Sequence, residues 1–428
     1  MKEKVFAWTS SGTVSLEAFH SAIEALSTNL PQQAPLLNTS EDRYQFALLL
    51  AAGWINQCPT LLPSDRGRDQ LERLKLRYPG VHNLGSMTVP DAVPAPSDAF
   101  MGRFKVPMSQ GDAVIPFTSG TTGDPVSHPK SMQELKASAS LIDQHLGGSE
   151  GIRLVATVPP QHMYGLELSV LLPLFCGAIL DFRRPFFPSD ITEALRDGPG
   201  PVALITTPLH LGALLDSGFK EVPDLAFIVT ATAPLDIERA LEAEKRLKAP
   251  LYEIYGCTEL GSIAGRRPVI DPCWRWFEGV RCQTTPEGIT VEASHMREPA
   301  RISDHLEILP DSGFRLVGRA RDLVNIAGKR TSIASLESAT LKVPGVRDVA
   351  FVINEGAGIL VPRLSALFVL DPGVTLEDVR LQLRQLLDPA FVPRTMRLVD
   401  RLPRNPVGKL PRASLMQMFA ATEADAND

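Results

Sequence analysis

Between about Asp112 and Glu259 the chain alternates short β-rich runs with helix-like segments, and this alternation restricts the fold more than any other feature. The runs Ile152–Val158, Val202–Thr206, Leu225–Thr230 and Leu251–Tyr255 are separated by segments such as Gly165–Phe175 and Leu235–Lys248. Strand, helix, strand in succession predicts a mostly parallel sheet covered by helices, an α/β fold. Loops that follow the strands of such sheets are where ligands usually bind. The first hundred residues read as mostly helical. Ser15 caps a helix with Leu16, Phe19, Ile23 and Leu26 on one face, and a second helix covers Glu41–Asn56. The Pro/Ser-rich stretch from Val89 to Asp98 reads as a connector.

After Phe277 the pattern becomes strand- and turn-rich through Leu316, and beyond Arg319 it changes again. A helix after Ser332, strands over Asp348–Ile353 and Leu364–Leu370, and a helix from Thr375 with Asp378 in capping-box position predict a small α+β unit. The expected division is residues 1–320 as a large N-terminal domain of helix-covered sheets and 321–428 as a small, mobile C-terminal domain. From Arg319 onward there are 15 Lys and Arg against 12 Asp and Glu, with 3 of those acids in the last six residues. Twelve of the fifteen cations are arginine, the side chain suited to phosphate and carboxylate. A net charge of −6 for all 428 residues argues against bulk nucleic-acid binding.

The most apolar stretch, Leu166 to Phe182, contains Glu167 and Pro173 and reads as core rather than as a membrane span. The amino terminus carries no long apolar run of the secretory kind. Five cysteines with no paired metal spacing fit a reduced, cytoplasmic setting.

The run Thr118-Ser119-Gly120-Thr121-Thr122-Gly123, entered from the apolar Val114, Ile115 and Phe117, is built from hydroxyls and glycines. Glycines let main-chain N–H groups turn inward towards an anion, and hydroxyls add donors without charge. Such a loop suits polyphosphate oxygens, although no Gly-Lys-Ser/Thr follows it. Four further segments come in order: Pro159-Pro160-Gln161-His162-Met163-Tyr164-Gly165; Ala231-Thr232-Ala233-Pro234 with Tyr255-Gly256-Cys257-Thr258-Glu259; Ser303-Asp304 with Gly318-Arg319-Ala320-Arg321-Asp322; and Asn405-Pro406-Val407-Gly408-Lys409.

Together these resemble the adenylate-forming superfamily of acyl- and aryl-CoA synthetases, peptide-synthetase adenylation domains and luciferases. The resemblance spans about Asp112 to Arg412. It implies ATP and Mg²⁺ as cofactors and a carboxylic acid as substrate. Residues 118–123, Ala231, Thr232, Ala233, Tyr255, Gly256, Asp304 and Arg319 would bind ATP and AMP, with Asp304 on the ribose. Thr258 would donate to the α-phosphate, Glu259 would hold the metal, and Lys409 would be the catalytic lysine. His162, Gly165, Thr207 and Ala231 would border the acyl pocket. Arg321 would be the hinge about which the small domain turns, and Gly328 would flank a tunnel for a phosphopantetheine thiol.

The sequence departs from the pattern in two places. Pro125-Val126-Ser127-His128-Pro129-Lys130 stands where relatives continue Pro-Lys-Gly, so a loop lysine is missing unless Lys130 replaces it from another angle. Ile302-Ser303 precede Asp304 where Thr-Gly is usual. The short amino-terminal part and this loop variant resemble ligases of aryl-polyene and xanthomonadin-type pigment clusters. That narrower likeness, with the arginine-rich C-terminal part, points to an aryl or hydroxyaryl acid (or a medium-chain one) loaded onto an acyl carrier protein. Free coenzyme A is the alternative acceptor. A degenerate, non-catalytic nucleotide-binding protein is a further alternative, disfavoured by the presence of both Glu259 and Lys409.

Overall fold

In a computed structural model the described residues are 4–63, 68–85, 111–119, 125–219, 221–285, 288–310, 313–319, 323–326, 329–354, 363–404, 410 and 414–419. The chain forms two compact units, Met1–Thr284 with Thr290–Ala300, and Thr285–Ile289 with Arg301–Asp428.

The larger unit is built on parallel strands, as the alternation predicts. Arg153–Ala156, Ile179–Asp181, Val202–Thr206, Leu225–Thr230 and Leu251–Cys257 run in one direction, with Val202–Thr206 between the first and the fourth. Val5–Thr9 joins alongside Ile179–Asp181, and Gly261–Arg266 turns back antiparallel on Leu251–Cys257. Side chains alternate across this sheet with period two. Ala203 and Ile205 enter one core with helices Leu16–Ser27, Arg43–Ile55 and Met132–His145. Val202 and Leu204 enter a second core with helices Pro188–Arg196, Pro208–Asp216 and Ile237–Leu247. Burial on both faces explains why these strands read as continuous apolar runs rather than alternating ones.

A second sheet in this unit holds His82–Asn83, Leu36–Leu37, Thr60–Leu62 and Val114–Ser119 in parallel, with Pro125–Ser127 antiparallel at its edge. Here the reading of the first hundred residues as mostly helical is corrected. Helices Leu16–Ser27, Arg43–Ile55 and Arg68–Arg77 are interleaved with the strands Val5–Thr9, Gly12–Ser15, Leu36–Leu37, Thr60–Leu62 and His82–Asn83. Most of these strands are too short for their periodicity to show. The Ser15 hydroxyl does cap its helix, accepting from the Ala18 N–H at 3.1 Å. The connector expected at Val89–Asp98 lies outside the described residues.

The segment from Gly165 to Phe175 is helical but not regular. Met163–Leu166 and Leu172–Cys176 are α-helical and flank the π-helical turn Glu167–Leu171. The smaller unit contains helix Ile333–Thr340, strands Val346–Asn354, Arg363–Leu370 and Thr395–Leu398, and helix Leu376–Leu386. Thr375 and Asp378 form the expected capping box. Val349, Phe351, Ala366, Phe368, Val379 and Leu383 make its core.

Candidate active site

Because the strands are parallel, Ala156, Asp181, Thr206, Thr230 and Cys257 all end on one edge of the sheet. His162, Gly165, Thr207, Ala231–Ala233 and Tyr255–Glu259 belong to the segments at or just beyond that edge.

The last strand leads into a tight hairpin with Thr258, Glu259 and Leu260 at its tip and Cys257 paired to Gly261. Gly256 is required for this crossing. A Cβ there would stand 2.3 Å from the Gly261 carbonyl oxygen and 2.8 Å from Ser262 Cα. Gly261 itself has φ +76°, which glycine alone adopts freely. Leu260 is buried and anchors the tip, leaving the Glu259 side chain exposed. The Tyr255 ring lies 5.7 Å from the Trp274 ring, and the Arg266 guanidinium covers Trp274 at 4.6 Å. Arg266 also donates through Nε to Glu253 Oε2 at 2.6 Å, while Glu253 Oε1 accepts from the Leu235 N–H at 3.1 Å. Burial pushes the Glu253 carboxyl up, and the Arg266 charge opposes that. Glu253 thereby fixes the end of the Ala231–Pro234 loop. In that loop Thr232 has φ +82°, a genuine outlier for a β-branched residue and of the kind that clusters at ligand sites.

Thr118 stands near the end of strand Val114–Ser119, and its Oγ1 shares a 2.9 Å hydrogen bond with His128 Nε2. Burial lowers the affinity of His128 for a proton, the Glu259 charge raises it, and the Lys130 charge lowers it. The hydroxyl strand is thus bonded to His128, and the charge of the carboxylate turn is felt there. Lys130 makes the mechanical connection. Its main chain pairs with Ala113 and Val114, and its Nζ donates to the Glu259 carbonyl oxygen at 2.7 Å. Behind the turn, Glu167 is fully buried in its π-helical segment. Its Oε2 accepts from the Ser262 hydroxyl at 2.6 Å, and its Oε1 accepts from the Ser262 N–H at 3.1 Å and from the Ser138 hydroxyl. Burial raises the Glu167 carboxyl, against these bonds and the Lys130 charge.

His162 is half-buried and occupies the N-cap position of Met163–Leu166. Gly165 permits a close approach, since a Cβ there would lie 2.1 Å from the Pro159 carbonyl oxygen. The Tyr164 hydroxyl is buried within 2.9 Å of both the Thr206 and the Val229 carbonyl oxygens. Thr207 is 1% exposed, with its hydroxyl turned to His210 and to the start of helix Pro208–Asp216. The segment is held from behind by two residues of the amino-terminal part. Arg43, fully buried, donates to the Val158 carbonyl at 2.8 Å, to Ala156 at 3.0 Å and to Asp181 at 3.2 Å, and also to that of Arg183. Gln161 Nε2 donates to the Ser40 carbonyl at 2.7 Å.

In the smaller unit, Asp304 opens strand Asp304–Ile308 directly opposite Arg319 on the neighbouring strand. Gly120, Thr121, Thr122, Gly123, Arg321, Gly328 and Lys409 lie outside the described residues. His128, Arg43 and Glu253 carry site geometry that sequence reasoning missed. The available signals were a histidine in the variant loop and, for Glu253, a charge set among apolar and aromatic neighbours; Arg43, beside Glu41 and Asp42, carried no such signal.

Residues 56–283 match the family model described as AMP-binding enzyme, and residues 335–409 match AMP-binding enzyme C-terminal domain. A protein of Mycobacterium tuberculosis named "Probable 2-succinylbenzoate--CoA ligase" is 28% identical over 357 residues, covering 78% of this chain and 92% of the relative. A 4-coumarate–CoA ligase of Cereibacter sphaeroides is 27% identical over 302 residues, covering 68% of this chain and 69% of the relative. The fold is similar to that of ATP-bound MatB from Rhodopseudomonas palustris, with TM-score 0.78, 19% identity and coverage of 97% and 96%. It is equally similar to O-succinylbenzoate coenzyme A synthetase from Bacillus subtilis with AMP, with TM-score 0.78, 16% identity and coverage of 96% and 95%.

Proposed function

The chain belongs to the AMP-binding enzyme family, and on that premise we propose that it adenylates an aryl or hydroxyaryl carboxylic acid (or a medium-chain acyl one) with ATP and passes the acyl group to coenzyme A. The class of enzyme is an ATP-dependent acid–thiol ligase. The observation that carries the reading is the convergence of Thr118, His128 and the Glu259 turn, which brings the hydroxyl-rich strand and the carboxylate hairpin to one place.

A carboxylate is a poor electrophile and must be activated. One of its oxygens attacks the α-phosphorus of ATP, the bond to the bridging oxygen breaks, and pyrophosphate leaves with that electron pair. The product is an acyl-adenylate. A thiolate then attacks the acyl carbon and AMP departs. Charge builds on the α-phosphate in the first step, so pre-positioned donors there do most of the work. We assign Thr258 to the α-phosphate, Tyr255 and the Ala231–Ala233 loop to the adenine, and Asp304 and Arg319 to the ribose. Lys409 reaches the reacting oxygens in the first step. Rotation at Arg321 then exchanges it for the loop around Gly328, where the thiol enters. The hinge and a domain boundary at 320/321 are part of this proposal.

Glu259 suits Mg²⁺. Among the described residues no cluster of three His, Cys, Asp or Glu could form a cage. A single exposed carboxylate fits a Mg²⁺ that keeps its waters and arrives on nucleotide phosphates. Bound there, the ion would neutralise phosphate charge, while Lys130 fixes the turn that carries the carboxylate.

The relatives named above are CoA ligases, and this favours coenzyme A over the carrier protein expected from the arginine-rich C-terminal part. Pyrophosphate release across a panel of carboxylic acids tests the adenylation. Release with none of them would sink it and favour the non-catalytic alternative. Thioester formation on coenzyme A and on phosphopantetheinylated carrier protein, measured side by side, decides the acceptor.

A further inference from the structure

His210 is 4% exposed and sits beyond the carboxyl ends of strands Arg153–Ala156 and Val202–Thr206. Its ring is fixed on one side. Nδ1 lies 2.9 Å from Thr207 Oγ1 and 3.3 Å from Thr157 Oγ1, and the Thr157 hydroxyl in turn lies 3.1 Å from that of Thr206. The opposite nitrogen, Nε2, is buried and has no hydrogen-bond partner among the described residues. A buried polar atom left unpaired is costly, and native folds rarely keep one without a use.

The surroundings describe what could pair with it. The Phe186 ring stands edge-on to His210, with centroids 5.3 Å apart and planes at 78°. Phe187 packs against Phe186 at 5.2 Å, and both phenylalanines are large apolar side chains left exposed on this rim. Burial, and then the nearby Arg184 charge, hold the imidazole below its ordinary value, so it is neutral near pH 7. A neutral imidazole with one nitrogen held by hydroxyls can either donate or accept at the other, as the proton settles on Nδ1 or Nε2. A ring hydroxyl is the complementary partner, and the apolar edge of Phe186 suits the ring that carries it.

We propose that His210 is a specificity-determining residue that reads a hydroxyl on the aromatic ring of the substrate acid through Nε2, with Phe186 flanking that ring. The proposal rests on the adenylation reading above and deepens it by naming the substrate class as hydroxyaryl acids. Arg184, which has no ion pair among the described residues, supplies the competing possibility of a second carboxylate on the substrate.

Calorimetric binding to the full chain tests this, with benzoate, the three hydroxybenzoates, their methyl ethers and the benzene dicarboxylates as probes. One hydroxybenzoate should bind about tenfold tighter than benzoate, and methylating its hydroxyl should lose that margin. His210→Phe should bind benzoate and the hydroxybenzoate alike, whereas His210→Gln, which keeps a polar atom, should restore part of the preference. The proposal is overturned if the unmodified protein does not distinguish these acids, if a dicarboxylate is preferred, or if His210→Phe keeps the ratio. Should that variant fail to fold, the ether series on the unmodified protein decides alone. Pyrophosphate release is measured separately. Selective binding without release would sink the adenylation reading, and release without selectivity would sink the role of His210.

Discussion

The Lys130 ammonium donates to the main-chain carbonyl of Glu259 at 2.7 Å, and Lys130 is only 5% exposed. The lysine that the sequence offers as a replacement loop cation is thus engaged with protein backbone. It joins the strand that carries Thr118 to the turn that carries Glu259. Burial lowers its affinity for a proton, and the charges of Glu134, Glu167, Cys257 and Glu259 oppose that. A cation held this deep is kept by its neighbours.

Replacing Lys130 with methionine keeps an unbranched side chain one atom shorter and removes the bond. The Glu259 carbonyl then loses its charged donor, and Glu167 loses a compensating charge. A hydrogen bond to a charged group is worth about 1.5–3 kcal/mol, which sets the expected loss of stability. Lys130→Met should also raise the Mg²⁺ concentration needed for half-maximal pyrophosphate release, since the turn is no longer fixed. Lys130→Arg should recover part of both. An unchanged Mg²⁺ dependence with reduced stability would assign Lys130 to the scaffold alone.

Two glycines give a paired prediction. At Gly256 an added Cβ meets backbone at 2.3 Å and 2.8 Å, and backbone cannot move aside cheaply. Gly256→Ala should lower stability by about 1–3 kcal/mol, as overpacking does. Gly212 lies inside helix Pro208–Asp216, and nothing comes within 4 Å of its added Cβ. Gly212→Ala should stabilise by roughly 0.5–1 kcal/mol. Thermal melts of the two variants check the contrast, and equal shifts would contradict it.

The parallel sheet was legible because each strand is an apolar run bounded by a helix, and Val202–Thr206 and Leu225–Thr230 have the limits expected. Caps at Ser15 and Thr375 were legible because their chemistry is local. The second sheet was hidden: Leu36–Leu37 and His82–Asn83 are two-residue strands whose pairing is entirely non-local. In the sequence Glu167 serves only, with Pro173, to mark Leu166–Phe182 as core and not as a membrane span. Its partners, Ser138 and Ser262, are 29 and 95 residues away, and no local pattern reports such a network. Motif order singled out Thr118, Thr232 and Glu259 as candidates. It could not show that His128 and Lys130 tie the first of these to the last.

Lys409→Ala tests the division of labour between the half-reactions. The lysine is assigned to the transition state of adenylation, and loss of such a contact costs about 2.7–4 kcal/mol, or roughly 10²–10³ in rate. Pyrophosphate release should fall by that factor, while thioester formation from supplied acyl-adenylate stays largely intact. Glu259→Gln should likewise depress adenylation yet leave the melting temperature unchanged, because its side chain is exposed. Equal damage to both half-reactions in Lys409→Ala would contradict the assignment.

His295 gives the pH prediction. It is 2% exposed, and burial, aided by the Lys130 charge, lowers it from its ordinary 6.5 to about 4. Between these values the unfolded chain binds a proton that the folded chain does not, so stability must fall as the pH drops from 6.5 towards 4. The full effect of such a shift is on the order of 3 kcal/mol. Glu167 and Glu253, raised by burial, act with the opposite sign above their ordinary value of 4.5, because there the folded chain holds the protons longer. The comparison that isolates the histidine is therefore the protein against His295→Met. Denaturant unfolding from pH 7 to pH 5 should show a steeper loss of stability in the unmodified protein, and parallel curves would mean that His295 is protonated without cost.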